Sequence, residues 1–445
     1  MKIPLFIFLF FASLFLVSCS SAGVSKSLNS DGRDTSMLFS AEELKSDLNF
    51  LVKTSQDVHP CLYSAVDSST FQSSVKKVNG LLNHPMTRLE FYRLAAPLLE
   101  PLKNGHTCLL LPAEEWQNFI DRGGRYFPYG ISFDENSGIR VTSCRDSSNM
   151  LAPGTRILTI NNLSADSLFN AFLSYRGGER DKWQNTVTSN WFRRYLWLNG
   201  ISAPYEISYL ASSSGKKIIF KSDGVSQTSS NSQISSSVEP PYAFEMLPGN
   251  IGYMNYKSME SDDVSNPFGE FLKRVFTELK EKSSRGLIVD LRHNGGGNAK
   301  YGYMLLSYIT EKPFRMHAMK AWKSSAQYKE EMRKRIPWWV EWVSYRPVIW
   351  LAALFNENGK MFTASDGDIV ELKTEEKAPA SNPLLFHGKV CFLIGTDTFS
   401  SAMLLANAVS DYKLACLIGE ETGGIPNEFG EVYYFKLPNT HLRVS

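Results

Sequence analysis

Residues Gly388 to Gly424 read GKVCFLIGTDTFSSAMLLANAVSDYKLACLIGEETGG, and the succession of textures in this stretch decides the fold. Val390 to Ile394 is a short apolar run of the kind that a strand covered on both faces requires. Met403 to Val409 is apolar nearly all round, which marks a helix packed inside a protein, and a second strand follows it. Ser400 and Ser401 stand at the junction of first strand and helix. A hydroxyl there feels the positive end of the helix dipole and has unbonded backbone N–H groups around it. It can cap the helix or, if exposed, attack a carbonyl.

Upstream, Gly286 to Gly297 reads GLIVDLRHNGGG, another buried-type strand, here ending in consecutive glycines. Only a backbone without Cβ turns so tightly and brings its N–H groups so close to a bound group, so this loop can form half of an oxyanion hole. Asp-Leu-Arg-x-Asn-Gly-Gly-Gly followed by the serine strand-turn-helix resembles the core of the C-terminal-processing (tail-specific) serine peptidases and their tricorn-like relatives. The resemblance implies an α/β protein with a crotonase-like catalytic core, Ser400 as nucleophile and Asp411 as a family carboxylate. It also implies an oxyanion hole made by the Ser401 N–H with one of Gly295, Gly296 or Gly297.

The branch is decided by the general base. Tail-specific peptidases use a lysine shortly after a Gly-Glu-x-Thr-x-Gly turn, but Gly419-Glu420-Glu421-Thr422-Gly423-Gly424 is followed by Ile425, which cannot take a proton. The tricorn-like branch, that of the chlamydial protease-like activity factor, takes its base from a histidine in a far N-terminal Asp-Gly-His-Thr segment. Asn104-Gly105-His106-Thr107 resembles that segment with Asn in place of Asp, which makes His106 the implied base. His293, in the glycine-loop strand, is the reserve. The branch supplies its third member, a glutamate, from a segment before a Gly-Val-x-Pro-Asp-like stretch that nothing here matches. The third member is therefore expected beyond Ser445, with Glu420, Glu421, Glu428 and Glu431 as the substitutes in reach and Glu420 belonging to the turn.

A chain of 445 residues, 43% hydrophobic, can bury a large core and divide into two or three domains. The net charge of +2 gives no sign of a nucleic-acid or strongly acidic partner. Residues 1–19, with Lys2 before an apolar run to Val17, have the form of an export signal. Leu16-Val17-Ser18-Cys19 resembles the bacterial lipobox, which implies a lipid anchor on Cys19, a membrane as partner and a place in the bacterial cell envelope. A Ser-rich tether, 20–39, follows. No metal or organic cofactor is implied, because no cysteines are spaced as ligands. Cys391 and Cys416 read as small buried hydrophobes and Cys61 with Cys108 as a possible bridge.

Ser40 with Glu43 and Thr87 with Glu90 are capping boxes that open helices in a helical part, 40–125. The helix from Thr87 is expected to reach Leu102 with Gly105 as its left-handed terminator, and Thr107 to Leu111 to be strand-like. Residues 126–221 read as β-rich with one helix, and Leu151 to Asn162 resembles the turn and strand of a PDZ domain, with Tyr129 to Phe133 as its carboxylate loop or a plain turn. A Ser-rich linker, 222–238, leads to a catalytic core, 239–445. The core carries an insertion, 311–383, helical in its first half and holding Trp322, Trp338, Trp339, Trp342 and Trp350. The function expected is a serine endopeptidase acting on protein or peptide substrates, in which a Ser401→Ala change is mild. The competing expectation is a non-catalytic peptide or hydrophobic-ligand binder, like the interphotoreceptor retinoid-binding modules. A binder has no need of Ser400, His106 and three glycines together.

Overall fold

The computed structural model describes residues 37–146, 150–211, 215–226, 240–260, 265–334, 357–426 and 431–445. Cys19 with its signal, nearly all of the tether, most of the Ser-rich linker, Glu428, and Trp338, Trp339, Trp342 and Trp350 lie outside the described residues. The chain forms a mixed α/β fold in two compact units. The larger runs from Asp31 to Glu239 and takes in His317–Glu375 and Glu421–Ser445, while the smaller comprises Pro240–Met316 and Glu376–Glu420. Of the residues 239–445 read as the core, His317–Glu375 of the insertion and Glu421–Ser445 fall in the larger unit.

In the larger unit, α1 (Ala41–Val58) and α3 (Arg88–Ala95) start where their caps predict, and α2 (Ser68–Leu81) lies between them. Both capping boxes close, each hydroxyl accepting from the N3 amide while the N3 glutamate accepts from the cap amide. The third helix does not continue to Leu102. Pro97 and Pro101 have no N–H for an α ladder, and the chain tightens into 3-10 turns at Ala96–Leu98 and Glu100–Leu102. Its left-handed terminator is Lys103, with φ 50°, and not Gly105.

After α4 (Ala113–Asp121) come a hairpin of β1 (Tyr129–Asp134) and β2 (Gly138–Cys144) and an antiparallel sheet in the order β4–β3–β5–β6. Its strands are β3 (Ile157–Ile160), β4 (Leu163–Ser164), β5 (Tyr205–Leu210) and β6 (Lys217–Ser222). Tyr129 to Phe133 is neither a carboxylate loop nor a turn but β1, paired along its length with β2. Two helices stand where one was expected, α5 (Ala165–Leu173) and α6 (Asp181–Leu198). In α6 the polar Gln184 and Thr188 are buried among Trp183, Phe192, Tyr195 and Leu196, which hides its apolar face from a periodicity count. The Ser-rich stretch also begins ordered, since Ser222 is buried and Val225 bridges to Tyr126. Residues of α1, α3, β1, β2, β3, α5, α6 and β5 share one core cluster with Leu437, Leu442 and Val444, so helical part and β-rich part pack as a single body. The insertion opens with a strand, Met319–Lys323 pairing antiparallel with Ile369–Lys373, and a helix in its first half follows at Ala326–Lys334.

The smaller unit is a five-stranded sheet ordered β11–β10–β9–β8–β7. Its elements are β7 (Tyr242–Leu247), β8 (Ile251–Tyr256), α7 (Pro267–Glu281), β9 (Gly286–Asp290), α8 (Ala299–Leu306), β10 (Lys389–Ile394), α9 (Ser401–Asp411) and β11 (Cys416–Gly419). β8 to β11 run parallel, joined by helical crossovers as parallel strands require, and β7 closes one edge antiparallel. In α7, Phe268, Phe271, Leu272, Val275, Phe276 and Leu279 recur at helical spacing and are buried. They pack with Val289, Phe392, Leu405 and Val409. Leu393 is the register partner of Asp290, so the segments leaving the C-terminal ends of β9 and β10 are neighbours.

The cysteines differ from expectation. Cys391 and Cys416 are register partners on adjacent strands, 4.6 Å apart at Cα, and form a disulfide. β11 is an edge strand and Cys416 is exposed on it, a setting that an apolar run in sequence does not separate from a covered one. Cys61 and Cys108 are free thiols, the first exposed and the second buried.

The last hairpin, Phe435–Lys436 with Arg443–Val444, is tied to α1 by one carboxylate. Fully buried Asp47 accepts at Oδ1 from the amide and side chain of Asn439, both 2.9 Å, and at Oδ2 from the amide and hydroxyl of Thr440, at 2.7 and 2.6 Å. Asp47→Ala leaves those donors without their acceptor and is expected to cost about 3 kcal/mol or more. The check is the denaturant midpoint, together with limited proteolysis, in which residues 431–445 should become the first site of cleavage.

Candidate active site

Beyond β10 the chain folds a tight corner. The Thr398 hydroxyl donates to the Leu291 carbonyl at 2.7 Å and accepts from the Gly395 amide at 3.0 Å, while the Phe399 amide donates to the Asn294 carbonyl at 3.0 Å. Ser400 follows with φ 53° and ψ −130°, a backbone region that costs a side-chain-bearing residue about 1–3 kcal/mol. It holds the N-cap position of α9, yet its hydroxyl makes no capping bond. Of the two uses a serine has at such a junction, the cap is therefore set aside.

The glycine loop explains how the strained backbone is held. Asn294 is fully buried, its Nδ2 donating to the Tyr256 carbonyl at 2.9 Å and its Oδ1 accepting from the Gly296 amide at 2.9 Å. Gly296 has φ 99°, and a Cβ there would lie 2.7 Å from Ser400 Cβ, 2.8 Å from the Phe399 oxygen and 2.9 Å from the Ser401 nitrogen. The backbone of the loop thus lies directly against that of the serine corner, as the close approach required by glycine implies. The Gly296 amide is engaged by Asn294, so what Gly296 contributes is space, whereas Gly295 is exposed with open room around it. Ser401 is buried and its hydroxyl donates to the Gly297 carbonyl at 2.6 Å, fastening loop to helix. The sequence signal for Asn294 was its place in the motif, but its bonds to both neighbours were not readable there.

The other residues around the corner have ordinary structural roles. Burial alone would raise the Asp290 carboxyl, but bonds from Arg292 and Tyr253 hold it below its usual range and pin the end of β9. His293 is exposed, 3.6 Å from Asp397. Asp411 ends α9, exposed and bonded to Asn407. The Glu420 carboxylate accepts from the Thr396 hydroxyl at 3.4 Å. Among the described residues no cluster of three or more His, Cys, Asp or Glu is arranged to hold a metal.

His106 belongs to the larger unit. Asn104 Oδ1 accepts from the amides of His106 and Thr107, at 2.9 and 3.1 Å, and from the Thr107 hydroxyl at 3.3 Å. That cap needs one side-chain oxygen, which Asn supplies as well as Asp. The Gly105 amide donates to Glu179 Oε1 at 3.3 Å and its carbonyl accepts from Arg176 at 3.0 Å. After Thr107 the chain forms not a strand but an isolated bridge, Leu109 to Val444, flanked by Cys108 and Ser445 exchanging both backbone bonds at 3.0 Å. Burial, and then the Arg176 guanidinium, push the imidazole from 6.5 down to about 4, so it is neutral at neutral pH, as a general base must be.

Two outcomes are expected. Gly296→Ala should slow reaction of Ser400 with an active-site serine phosphonate roughly a hundredfold, the loss typical of a misplaced oxyanion site, with the circular dichroism of the fold retained. The His106 shift also makes stability depend on pH. Its folded pKa lies below its unfolded one, so the contribution is complete above 6.5 and is lost as pH falls from 6.5 towards 4, where only the unfolded chain takes up the proton. The slope is about 1.4 kcal/mol per pH unit for each such group. His59 and His317, each pushed to about 4 by burial, act in the same direction. Urea midpoints followed from neutral to acid pH should fall less steeply in His106→Gln.

Comparison with known proteins places this arrangement. Residues 250–427 match the model of Peptidase family S41. Among solved structures, mature CPAF complexed with lactacystin superposes with a TM-score of 0.60 over 91% of this chain and 88% of that one, at 14% identity. A CPAF mutant gives a TM-score of 0.61 at the same identity and coverage. The photosystem II D1 C-terminal processing protease aligns over 90% of this chain and 86% of its own, at 16% identity and a TM-score of 0.40. At such identities the CPAF likeness is one of fold, and the family likeness is carried by the domain holding the glycine loop and the serine corner: residues 250–427 match Peptidase family S41, the tail-specific serine peptidases.

Proposed function

We propose that the protein is a serine endopeptidase of the tricorn-like branch in which Ser400 is the nucleophile and His106 the general base. The single observation that carries this is the left-handed Ser400 whose hydroxyl does not cap its helix, held by a glycine with no room for a Cβ. His106 accepts the Ser400 proton as Oγ bonds to the carbonyl carbon of the substrate and the carbonyl π pair moves onto oxygen. The tetrahedral oxyanion is met by the Ser401 N–H and, with Gly296 engaged elsewhere, by the Gly295 N–H. Each aligned donor of this kind contributes about 3 kcal/mol to lowering the barrier. The C–N bond then breaks as the imidazolium returns its proton to the leaving amine, and water releases the acyl group from Ser400 by the same route. A binding protein would carry the strain at Ser400 for no return, which disfavours the competing reading.

Several finer features belong to the same proposal. The parallel strands and crossover helices of the smaller unit support a crotonase-like core, and Leu151 to Asn162 supports a PDZ-like module that docks peptide C-termini. The Leu16-Val17-Ser18-Cys19 stretch supports a lipid anchor and an exported protein in the cell envelope.

Assay with a fluorogenic peptide and a serine phosphonate tests the assignment. Ser400→Ala should lose both hydrolysis and labelling, and full activity in that variant would overturn the nucleophile. Ser401→Ala is no longer expected to be mild, because the 2.6 Å bond that fastens the glycine loop goes with its hydroxyl. A loss of about tenfold in kcat is expected, with the amide donor still present.

A further inference from the structure

The loop between α5 and α6, Arg176-Gly177-Gly178-Glu179-Arg180, grips both backbone polar groups of Gly105, the residue before His106, and nothing in the chemistry above uses it. We propose that Glu179 is a positioning residue of this peptidase, a carboxyl oxygen that fixes the Gly105 amide and so sets the direction in which the chain presents His106. The inference rests on His106 being the general base.

The loop is built for close approach. A Cβ on Gly177 would lie 2.6 Å from the Glu100 carbonyl oxygen and one on Gly178 would lie 2.5 Å from the Trp183 ring, so the loop can hold its shape only with glycine at both places. Arg176 lies over the same Trp183 ring, 5.6 Å from its centre, while donating to the Gly105 carbonyl. The far end is fastened too, Arg180 bonding to Glu421 at 2.9 Å and to the Gly424 carbonyl at 3.2 Å. A five-residue loop thus anchored has little freedom to follow Gly105, and Gly105 must follow it.

Glu179 is held at a cost that packing alone does not explain. Its Oε2 is buried without a hydrogen-bond partner in the structure, and burial raises its carboxyl above the usual range. A residue chosen for stability here would be apolar or fully bonded. What the position retains is an acceptor bonded to the Gly105 amide.

The test separates reach from charge. Glutamine keeps an oxygen at the same distance, whereas aspartate keeps the charge but is shorter by about 1.5 Å, one methylene. Wild type, Glu179→Gln, Glu179→Asp, Glu179→Ala and His106→Ala are compared for hydrolysis of a fluorogenic peptide. Rates are expressed per site titrated with the phosphonate, and melting temperatures are recorded alongside. Glu179→Gln should stay within about twofold of wild type, while Glu179→Asp and Glu179→Ala should lose roughly ten- to a hundredfold in kcat with KM held within about twofold. An active Glu179→Asp with an inactive Glu179→Gln would assign a role to charge and overturn the proposal. So would a loss confined to melting temperature, or to KM, with kcat per titrated site unchanged. If Glu179→Ala does not fold, the Gln and Asp pair still decides. An inactive His106→Ala beside an unaffected Glu179→Ala refutes this inference alone, whereas an active His106→Ala refutes the general base and the inference together.

Discussion

The smaller unit depends on one backbone being allowed to sit where side-chain-bearing residues avoid sitting. Ser400 is left-handed because the strand before it ends against Leu291 and Asn294 and the helix after it must start at once, leaving a single residue to turn the chain. Gly296 answers that need by having no Cβ where Ser400, Phe399 and Ser401 crowd it. Asn294 in turn holds Gly296, and through its carbonyl holds Phe399. Serine corner and glycine loop are therefore one interlocked structure, and its elements are adjacent only because β9 and β10 pair in parallel register.

The histidine corner obeys a different economy. No backbone strain is recorded at His106; the chain turns at Lys103, and Asn104 satisfies the amides that follow. What is tuned there is charge. An imidazole kept neutral by burial and by a nearby guanidinium, its pKa pushed down to about 4, is free of a proton at neutral pH, but the same surroundings resist the imidazolium. Arg176 and Glu179 hold Gly105, the residue before it, by carbonyl and amide.

Much of this was legible in the amino-acid order. The strand–serine–helix and the triple glycine announce themselves because buried parallel strands are uniformly apolar and because consecutive glycines have few other reasons to exist. Capping boxes give helix starts to the residue, as at Ser40 and Thr87. Helix ends were less readable, since Pro97 and Pro101 change the type of helix rather than merely stopping it. The disulfide escaped because cysteine in an apolar run looks the same whether its strand is central or at an edge, and edge position is a property of the assembled sheet. Glu179 escaped for the same reason: its meaning lies in a contact with Gly105, which no local period encodes.

The register of β9 against β10 also governs how the protein comes to exist. Gly286 is paired with Lys389, and between them the chain departs into the other unit and returns. Until that return, β9 has a partner on one side only, and the glycine loop has no serine corner to close upon. Pairings so distant in sequence form slowly, because the loop entropy must be met before any contact rewards it. On the ribosome, helices and hairpins between Ala41 and Ser222 can form early, but the core they share takes in Leu437, Leu442 and Val444 and closes only once the last residues have emerged. The sheet of the smaller unit likewise waits for β10, so a chain still being made has neither its serine corner closed against the glycine loop nor the core of its larger unit sealed.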